Sequence, residues 1–192
     1  ASVAYNGSVW EMSTSYDDYN RFYRAWYYHD SNDGKVAQTG DLYLRTGIGI
    51  KKFYNPQDSY MNGGRITPKL DTAIRYAEVL LIYAEALNEL NGTYEIASWD
   101  NSKTYSIKRD KEEMAKSIKP IRIRAGLPNY SDDVYSSKDE FRKKLKRERQ
   151  IELFAEGHRY YDLRRWKDAP EEEATMTYGC NINVSSSESN RE

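Results

Sequence analysis

In the stretch DTAIRYAEVLLIYAEALNELNG, which begins at Asp71, apolar side chains return every three or four positions. At 100° per residue, Ala73, Ala77, Leu80, Ala84 and Leu87 fall on one stripe, and Arg75, Glu78, Glu85 and Glu89 fall opposite. The spacing predicts a helix from about Thr72 to Leu90, capped by Asp71 and stopped near Gly92. Tyr76, Val79 and Tyr83 widen its apolar side, and the small Ala77 and Ala84 let a neighbouring helix approach closely, as in stacked helical hairpins.

After TYEIASWDNSKTYSI, read as an interhelical loop, Asp110 and Glu113 form a capping box ahead of Met114, Ile118, Ile121 and Ala125 at helical spacing. Pro120 is expected to kink this second helix, and Gly126 followed by Pro128 to end it. Ser137 and Glu140 open a third helix running to about Glu156, and a shorter one follows from His158 to about Trp166. Residues 67–168 thus read as a helical core. Residues 169–192 read as an irregular polar tail, and 1–66 as a loop-rich section of short strands broken by Gly7, Gly34, Gly40, Gly47, Gly49, Pro56 and the NGG at 62–64. Within it DLYLRTGIGIKKFY suggests an edge strand or hairpin, and YDDYNRFYRAWYYHD at 16–30 a short helix.

The balance of 29 basic and 30 acidic residues gives a net charge of −1, so no whole-chain field favours nucleic acid or an anionic membrane. Cys180 is the single cysteine, which excludes an internal disulfide framework and a multi-cysteine zinc site. The longest apolar run, Val79 to Ala84, is far short of the roughly 20 residues that span a bilayer. The chain starts at Ala1 without an initiator Met and ends in polar residues, which suggests a processed or excised fragment. Eighteen tyrosines and four tryptophans supply flat faces with polar tips, suited to sugar rings, peptides and protein interfaces, and equally to a tyrosine-rich core.

Ionisable groups are densest in RERQIELFAEGHRYYDLRRW, residues 147–166. On a helix from Lys138, Phe141, Leu145 and Ala155 lie within about 40° of one direction, and so do Glu148 and Glu152. Two carboxylates on a buried stripe need paired donors, and Arg122, Arg124, Arg159, Arg164 and Arg165 are the candidates. Glu152→Ala is accordingly expected to destabilise the fold by on the order of 3 kcal/mol or more, through an uncompensated buried arginine. A glycosidase-like acid/base pair is disfavoured, because the two carboxylates share one helix face and the arginines keep both ionised. His158 and Asp162 have an i, i+4 spacing that suits a metal, but a lone histidine among arginines reads better as a structural residue. The run RKKLKRER is interleaved with glutamates and lacks an aromatic platform, so it reads as a solvated face rather than a phosphate grip. TGIGIK has the wrong glycine spacing for a phosphate loop, and no GxSxG is present. No catalytic residue, cofactor or metal site is assigned.

RYAEVLLIYAEALNEL at 75–90, IRIRAGLP at 121–128 and RERQIELFAEGHRYYDLRRW resemble, in that order, three signatures in the C-terminal half of SusD/RagB-like proteins. LYLRTGIGIKKFY resembles the segment that precedes those helices. The resemblance implies a mainly α fold with tetratricopeptide-like helix hairpins and an irregular N-terminal section containing short strands. It also implies a non-enzymatic lipoprotein on the extracellular face of the outer membrane. Such a protein takes up oligosaccharide, or peptide in the RagB-like manner, with a SusC-like TonB-dependent transporter as partner. No lipid-bearing cysteine opens this chain, which on this resemblance is a C-terminal portion. Ala77, Ala84, Glu85, Glu148, Glu152, Gly157, Asp162, Arg164 and Trp166 match the family pattern and are assigned to packing and ion pairing. Ligand platforms in the family come from aromatic loops, which points to Trp10, Tyr16, Trp26, Tyr27, Tyr28, Tyr54 and Tyr60, with Trp99 and Tyr105 in the interhelical loop. Asp17, Asp18, Asn20, Arg21, Asp30 and Asn32 flank them as hydrogen-bonding partners for hydroxyls. A helical-repeat scaffold that holds a protein partner without a small ligand is the reading from a different class.

Overall fold

The computed structural model describes residues 3–4, 9–12, 21–24, 26–31, 34–35, 43–44, 46–53, 55, 58, 63–70, 72–176, 181 and 183–184, with 3–4, 9–12 and 21–24 described by their backbone. The chain divides into two compact units, Thr72–Asp168 and the combination of Ala1–Asp71 with Ala169–Glu192.

In the second of these, β1 (Val3–Ala4) pairs antiparallel with β4 (Gly49–Ile50), and β2 (Val9–Met12) pairs with β3 (Arg21–Arg24). The helix expected within 16–30 is therefore not formed at Arg21–Arg24. Aromatic residues favour a pleated surface, and Phe22 and Tyr23 stand opposite Glu11 and Trp10 across the ladder. Gly49–Ile50 is paired to the distant Val3–Ala4 rather than folded into a local hairpin. A turn follows β3, in which Ser31 Oγ donates to the carbonyls of Trp26 and Tyr28, the latter at 2.6 Å. Gly34 closes the turn where a Cβ would lie 1.9 Å from the Tyr28 carbonyl oxygen, so no larger residue fits. At the other end of this unit, Ala169–Glu172 form one helical turn (α6) within the stretch read as an irregular tail.

The Thr72–Asp168 unit is helical. It contains α1 (Tyr76–Glu89), a hairpin of β5 (Tyr94–Ala97) and β6 (Thr104–Ile107), α2 (Lys111–Arg124), α3 (Asp132–Ser136), α4 (Lys138–Glu152) and α5 (His158–Trp166). Helix α1 packs on α2 and α4, and the core is formed by Leu81, Ala84, Leu87, Met114, Ile118, Ile121, Tyr135, Phe141, Leu145 and Leu153. The buried stripe of α1 is Ala77, Leu81, Ala84, Leu87 and Asn88. It is rotated from the expected one, so Leu80 is half-buried and Tyr76, Val79 and Tyr83 are exposed. The helix also starts four residues later than expected, after Arg75, which is extended and offers no side-chain cap. Asp71, the cap expected from the sequence, lies outside the described residues.

The remaining helix ends follow local chemistry. Asp110 accepts from the backbone N–H groups of Glu112 and Glu113 at 2.9 and 3.0 Å, which supplies two of the four donors a helix start leaves open. Helix α2 runs through Pro120 and closes with Gly126 at φ 74°, where the Gly126 N–H reaches the Ile123 carbonyl and the Leu127 N–H that of Arg122. Ser137 caps α4 by accepting from the Glu140 N–H. That helix stops at Glu152, short of Glu156, because Ala155 and Gly157 both turn to positive φ. Ala155 is consequently exposed rather than on the buried stripe. The interhelical stretch 93–107 is not a plain loop but the β5–β6 hairpin.

The backbone N–H of Glu113 holds the Asp110 carboxyl below the ordinary carboxylate range. A carboxyl with a lowered folded-state pKa stabilises above its unfolded-state value, and that contribution disappears as pH falls through the folded-state one. Asp110→Ala is expected to cost about 1 kcal/mol in urea unfolding at pH 7. The difference from the parent protein should shrink as the pH is taken below about 4.

Candidate functional site

The charged segment 147–166 is built into the helical unit as a set of cross-braces. Glu148, which is buried, accepts from Arg122 Nη1 and from the Tyr130 hydroxyl, each at 2.7 Å. Arg122 also stacks over the Tyr130 ring at 4.0 Å, and burial with the Glu148 contact pushes the Tyr130 phenol far above its ordinary range. Glu152 accepts from Arg124 and from Arg75 Nη2, which stands 2.9 Å away. Arg75 also reaches Glu156 through Nε and Nη2, each at 2.7 Å. Asp162 is buried and takes Arg149 Nε and Nη2 at 3.0 and 3.1 Å, with Arg165 Nε at 2.8 Å. Arg165 spans on to both oxygens of Glu85, which also accepts from Trp166 Nε1 at 2.7 Å.

Arg164 and Arg159 sit differently from these. Arg164 lies over the Tyr160 ring at 3.4 Å and donates to the Tyr160 carbonyl, and Arg159 is half-buried at the start of α5. Arg75 and Arg149 were not among the expected bracing residues, whereas Glu85 was assigned to packing and ion pairing from the family pattern. Arg75 and Glu85 lie on the polar side of α1, where the pattern alone reads as solvent. Arg149 lies about 80° from the centre of the expected stripe, and its burial becomes evident only once Asp162 is opposite. A further buried polar centre is Asn88, which accepts from Arg109 and donates to the Lys138 carbonyl at 3.0 Å. Arg142 grips Glu89 with both arms at 2.8 and 2.7 Å, and this holds the Glu89 carboxyl below its ordinary range.

The arrangement gives these carboxylates little to do chemically. Glu148 through Oε2 and Glu152 through Oε1 are each held by guanidinium groups, which commits one oxygen of each carboxylate to bracing the helices. His158 Nδ1 stands 3.6 Å from Glu78, while Asp162 is committed to arginines, so the i, i+4 pair does not form a metal site. Among the described residues no group of three metal-ligating side chains converges.

The hairpin presents the opposite character. Its register places Tyr94 opposite Ile107 and Ile96 opposite Tyr105, so all four side chains share one face. Tyr94, Ile96 and Tyr105 are each about half exposed, and Ile107 packs against the helical core. Trp99 stands at the tip, 96% exposed. The tip around it is ordered by Asp100, which accepts from Ser98 Oγ at 2.6 Å, from the Ser102 N–H at 3.1 Å and from Ser102 Oγ at 2.8 Å. These bonds, led by the Ser98 hydroxyl, lower the Asp100 carboxyl to about 2. Three more hydrogen bonds between 98 and 103 complete the turn, with Asn101 at φ 56°.

The other aromatic candidates fall elsewhere. Trp26 and Tyr28 are half-buried with their rings edge to face at 5.8 Å, and Asp30 is exposed beside them. Tyr27 is 6% exposed and has no open ring face, which corrects its assignment as a platform. Trp10 lies in β2 opposite Tyr23, and Arg21 lies in β3, each described by its backbone. Tyr16, Tyr54, Tyr60, Asp17, Asp18, Asn20 and Asn32 lie outside the described residues.

The mainly α-helical build with few short strands fits a SusD-like, mainly α fold. The SusD family profile matches residues 1–192, and the chain belongs to that family. SusD-like protein P2 of Formosa agariphila is 37% identical over 120 residues, which cover 62% of this chain and 21% of that protein. SusD-like protein P38 of the same organism is 28% identical over 170 residues, covering 86% of this chain and 27% of that protein. The chain thus spans about a quarter or less of the length of these relatives. No solved structure is significantly similar to it. No helix among the described residues is long and apolar enough to cross a membrane.

Proposed function

We propose that the chain is part of a cell-surface nutrient-binding subunit that captures oligosaccharide and hands it to a SusC-like TonB-dependent transporter. On this reading the whole protein is a lipid-anchored, non-enzymatic component of the outer membrane's extracellular face. The arginine–carboxylate braces are scaffold, and the aromatic residues contact ligand. Family membership supports the general role, and the observation that carries the ligand class is the β5–β6 hairpin with Trp99 held open to solvent at its tip. An indole or phenol face covers the apolar C–H face of a pyranose, and nearby polar groups bond its hydroxyls. A rigid tip limits the ordering cost of binding. Trp26 and Tyr28 form a second candidate platform, while Trp10, Tyr16, Tyr54 and Tyr60 remain candidates from the sequence.

Peptide capture is the second reading. The observation that favours it is that β5 and β6 pair only with each other among the described strands, so a peptide has open edges to join. Titration of the purified chain with neutral oligosaccharides and with a peptide library tests both readings. Trp99→Ala is expected to weaken the glycan bound by about tenfold or more with the melting temperature unchanged, since the ring touches almost nothing in the folded protein. No reducing ends should be released. Unchanged glycan affinity in both Trp99→Ala and Tyr105→Ala would remove the hairpin from the site, and binding confined to peptides would replace the glycan reading.

A further inference from the structure

Helix α1 gives way at Leu90, which is extended at φ −62° and ψ 136°, and β5 begins at Tyr94. The joint between them, Asn91–Gly92–Thr93, is exposed. Among the described residues Asn91 is the one asparagine that a glycine follows. The Cγ of an asparagine side chain is open to attack by the backbone nitrogen of the next residue, and the side chain on that residue is the chief obstacle. Gly92 has no side chain, and a Cβ built there would meet nothing within 4 Å, so the space around its nitrogen is clear. The Gly92 N–H makes no hydrogen bond to a described residue.

The side-chain amide is held from the other end. Lys138, the first residue of α4, donates through Nζ to Asn91 Oδ1 at 2.7 Å and to the Glu89 carbonyl at 3.0 Å. An ammonium only donates, so the carboxamide turns its oxygen to Lys138 and leaves Nδ2, the departing group, without a described partner. As the Gly92 nitrogen adds to Cγ, negative charge develops on Oδ1, where a cationic donor already stands. The other asparagines of the helical unit lack this combination. Asn88 is buried in α1 and bonded to Arg109. Asn101 precedes Ser102, whose N–H is engaged by Asp100, and Asn129 precedes the half-buried Tyr130.

We propose that Asn91 is a self-modification site, at which the Gly92 nitrogen displaces the side-chain amide as ammonia while Lys138 steadies Oδ1. The N–Cγ bond forms, the Cγ–Nδ2 bond breaks, and the Gly92 amide proton leaves with the ammonia. Water then opens the cyclic imide, its hydroxyl going to one of the two carbonyl carbons and its proton to the nitrogen. Opening at Cγ gives aspartate, and opening at the main-chain carbonyl gives isoaspartate. No electrons are gained or lost. Either product sets a carboxylate beside Lys138 at the end of α1. Isoaspartate also routes the main chain through the side chain, which adds a methylene to the short joint that carries the β5–β6 hairpin.

The test is incubation of the full chain at mildly alkaline pH, followed by fragment mass spectrometry of its tryptic peptides and labelling with an isoaspartyl methyltransferase. Asn91 is expected to convert several times faster than Asn88, Asn101 or Asn129, with label appearing at position 91. Gly92→Ala should suppress the conversion, and the open space and the absence of a left-handed backbone at Gly92 leave the fold intact. Lys138→Met should slow it several-fold, and Lys138→Arg, which keeps a cationic donor, should restore part of the rate. Conversion of Asn91 no faster than that of Asn101 would overturn the site. An equal or higher rate in Lys138→Met would overturn the part given to Lys138, and an undiminished rate in Gly92→Ala would overturn attack by the backbone nitrogen.

Discussion

Asp162→Ala should lower the unfolding free energy by about 3–5 kcal/mol, measured by chemical denaturation at neutral pH. Asp162 is the counter-charge of Arg149, and the two are 4% and 3% exposed. Without it the guanidinium stays buried with its three nitrogens unsatisfied, while Arg165 keeps its two bonds to Glu85. The penalty is therefore concentrated on Arg149. Replacing both members, as in Arg149→Met with Asp162→Leu, removes the stranded charge and should cost less than Asp162→Ala alone. A stable Asp162→Ala protein would show that water reaches Arg149. This shifts the expectation drawn for Glu152 from the sequence. Losing Glu152 still leaves Arg75 bonded to Glu156, and Arg124 is more than half exposed, so no buried arginine is stranded there.

Phe141→Ala is expected to cost a similar amount, about 3–5 kcal/mol, through lost burial and the cavity left behind. Phe141 is fully buried on α4, with its ring centroid 5.3 Å from that of Tyr135, which in turn lies 6.3 Å from Tyr130. Its removal loosens the aromatic group on which both α3 and the Glu148 brace rest. A local readout separates this from general destabilisation. Burial pushes the Tyr135 phenol up to about 12, and water entering the space left by Phe141 should bring its titration back toward the ordinary value near 10. A phenol that titrates as before, in a protein of unchanged stability, would mean that neighbouring side chains refill the space.

The helices were legible where periodicity and capping residues agreed. Asp110 with Glu113, Ser137 with Glu140, and Gly126 each mark an end that the structure keeps. The start of α1 was not, because Arg75 is extended and bonded to carboxylates 77 and 81 residues away, which no local pattern encodes. The hairpin was missed although its signal was present. Tyr94 and Ile96, then Tyr105 and Ile107, alternate at the strand period around a turn-forming Asp100–Asn101–Ser102. Among the arginines, sequence identified a surplus of cations near Glu148 and Glu152 but not their assignment. Arg149, Arg164 and Arg165 look alike in a string, and only the contact with Asp162 of α5 makes the first a buried partner, while Arg164 lies over Tyr160 four residues back on its own helix. The same limit applies to ligand residues, since Tyr27 and Trp99 are both aromatic and differ only in being covered or open.

Arg75 and Glu85 find their partners at Glu152, Glu156, Arg165 and Trp166, up to 81 residues further along. A ribosome adding about 5–20 residues per second delivers those partners some 4–16 s after α1 has emerged. Through that interval the first helix of the unit has its charged side unbraced and its apolar stripe uncovered by α4. The nascent helix is therefore a natural client for a holding chaperone. A stop codon before residue 138, where α4 begins, would leave it permanently in that condition.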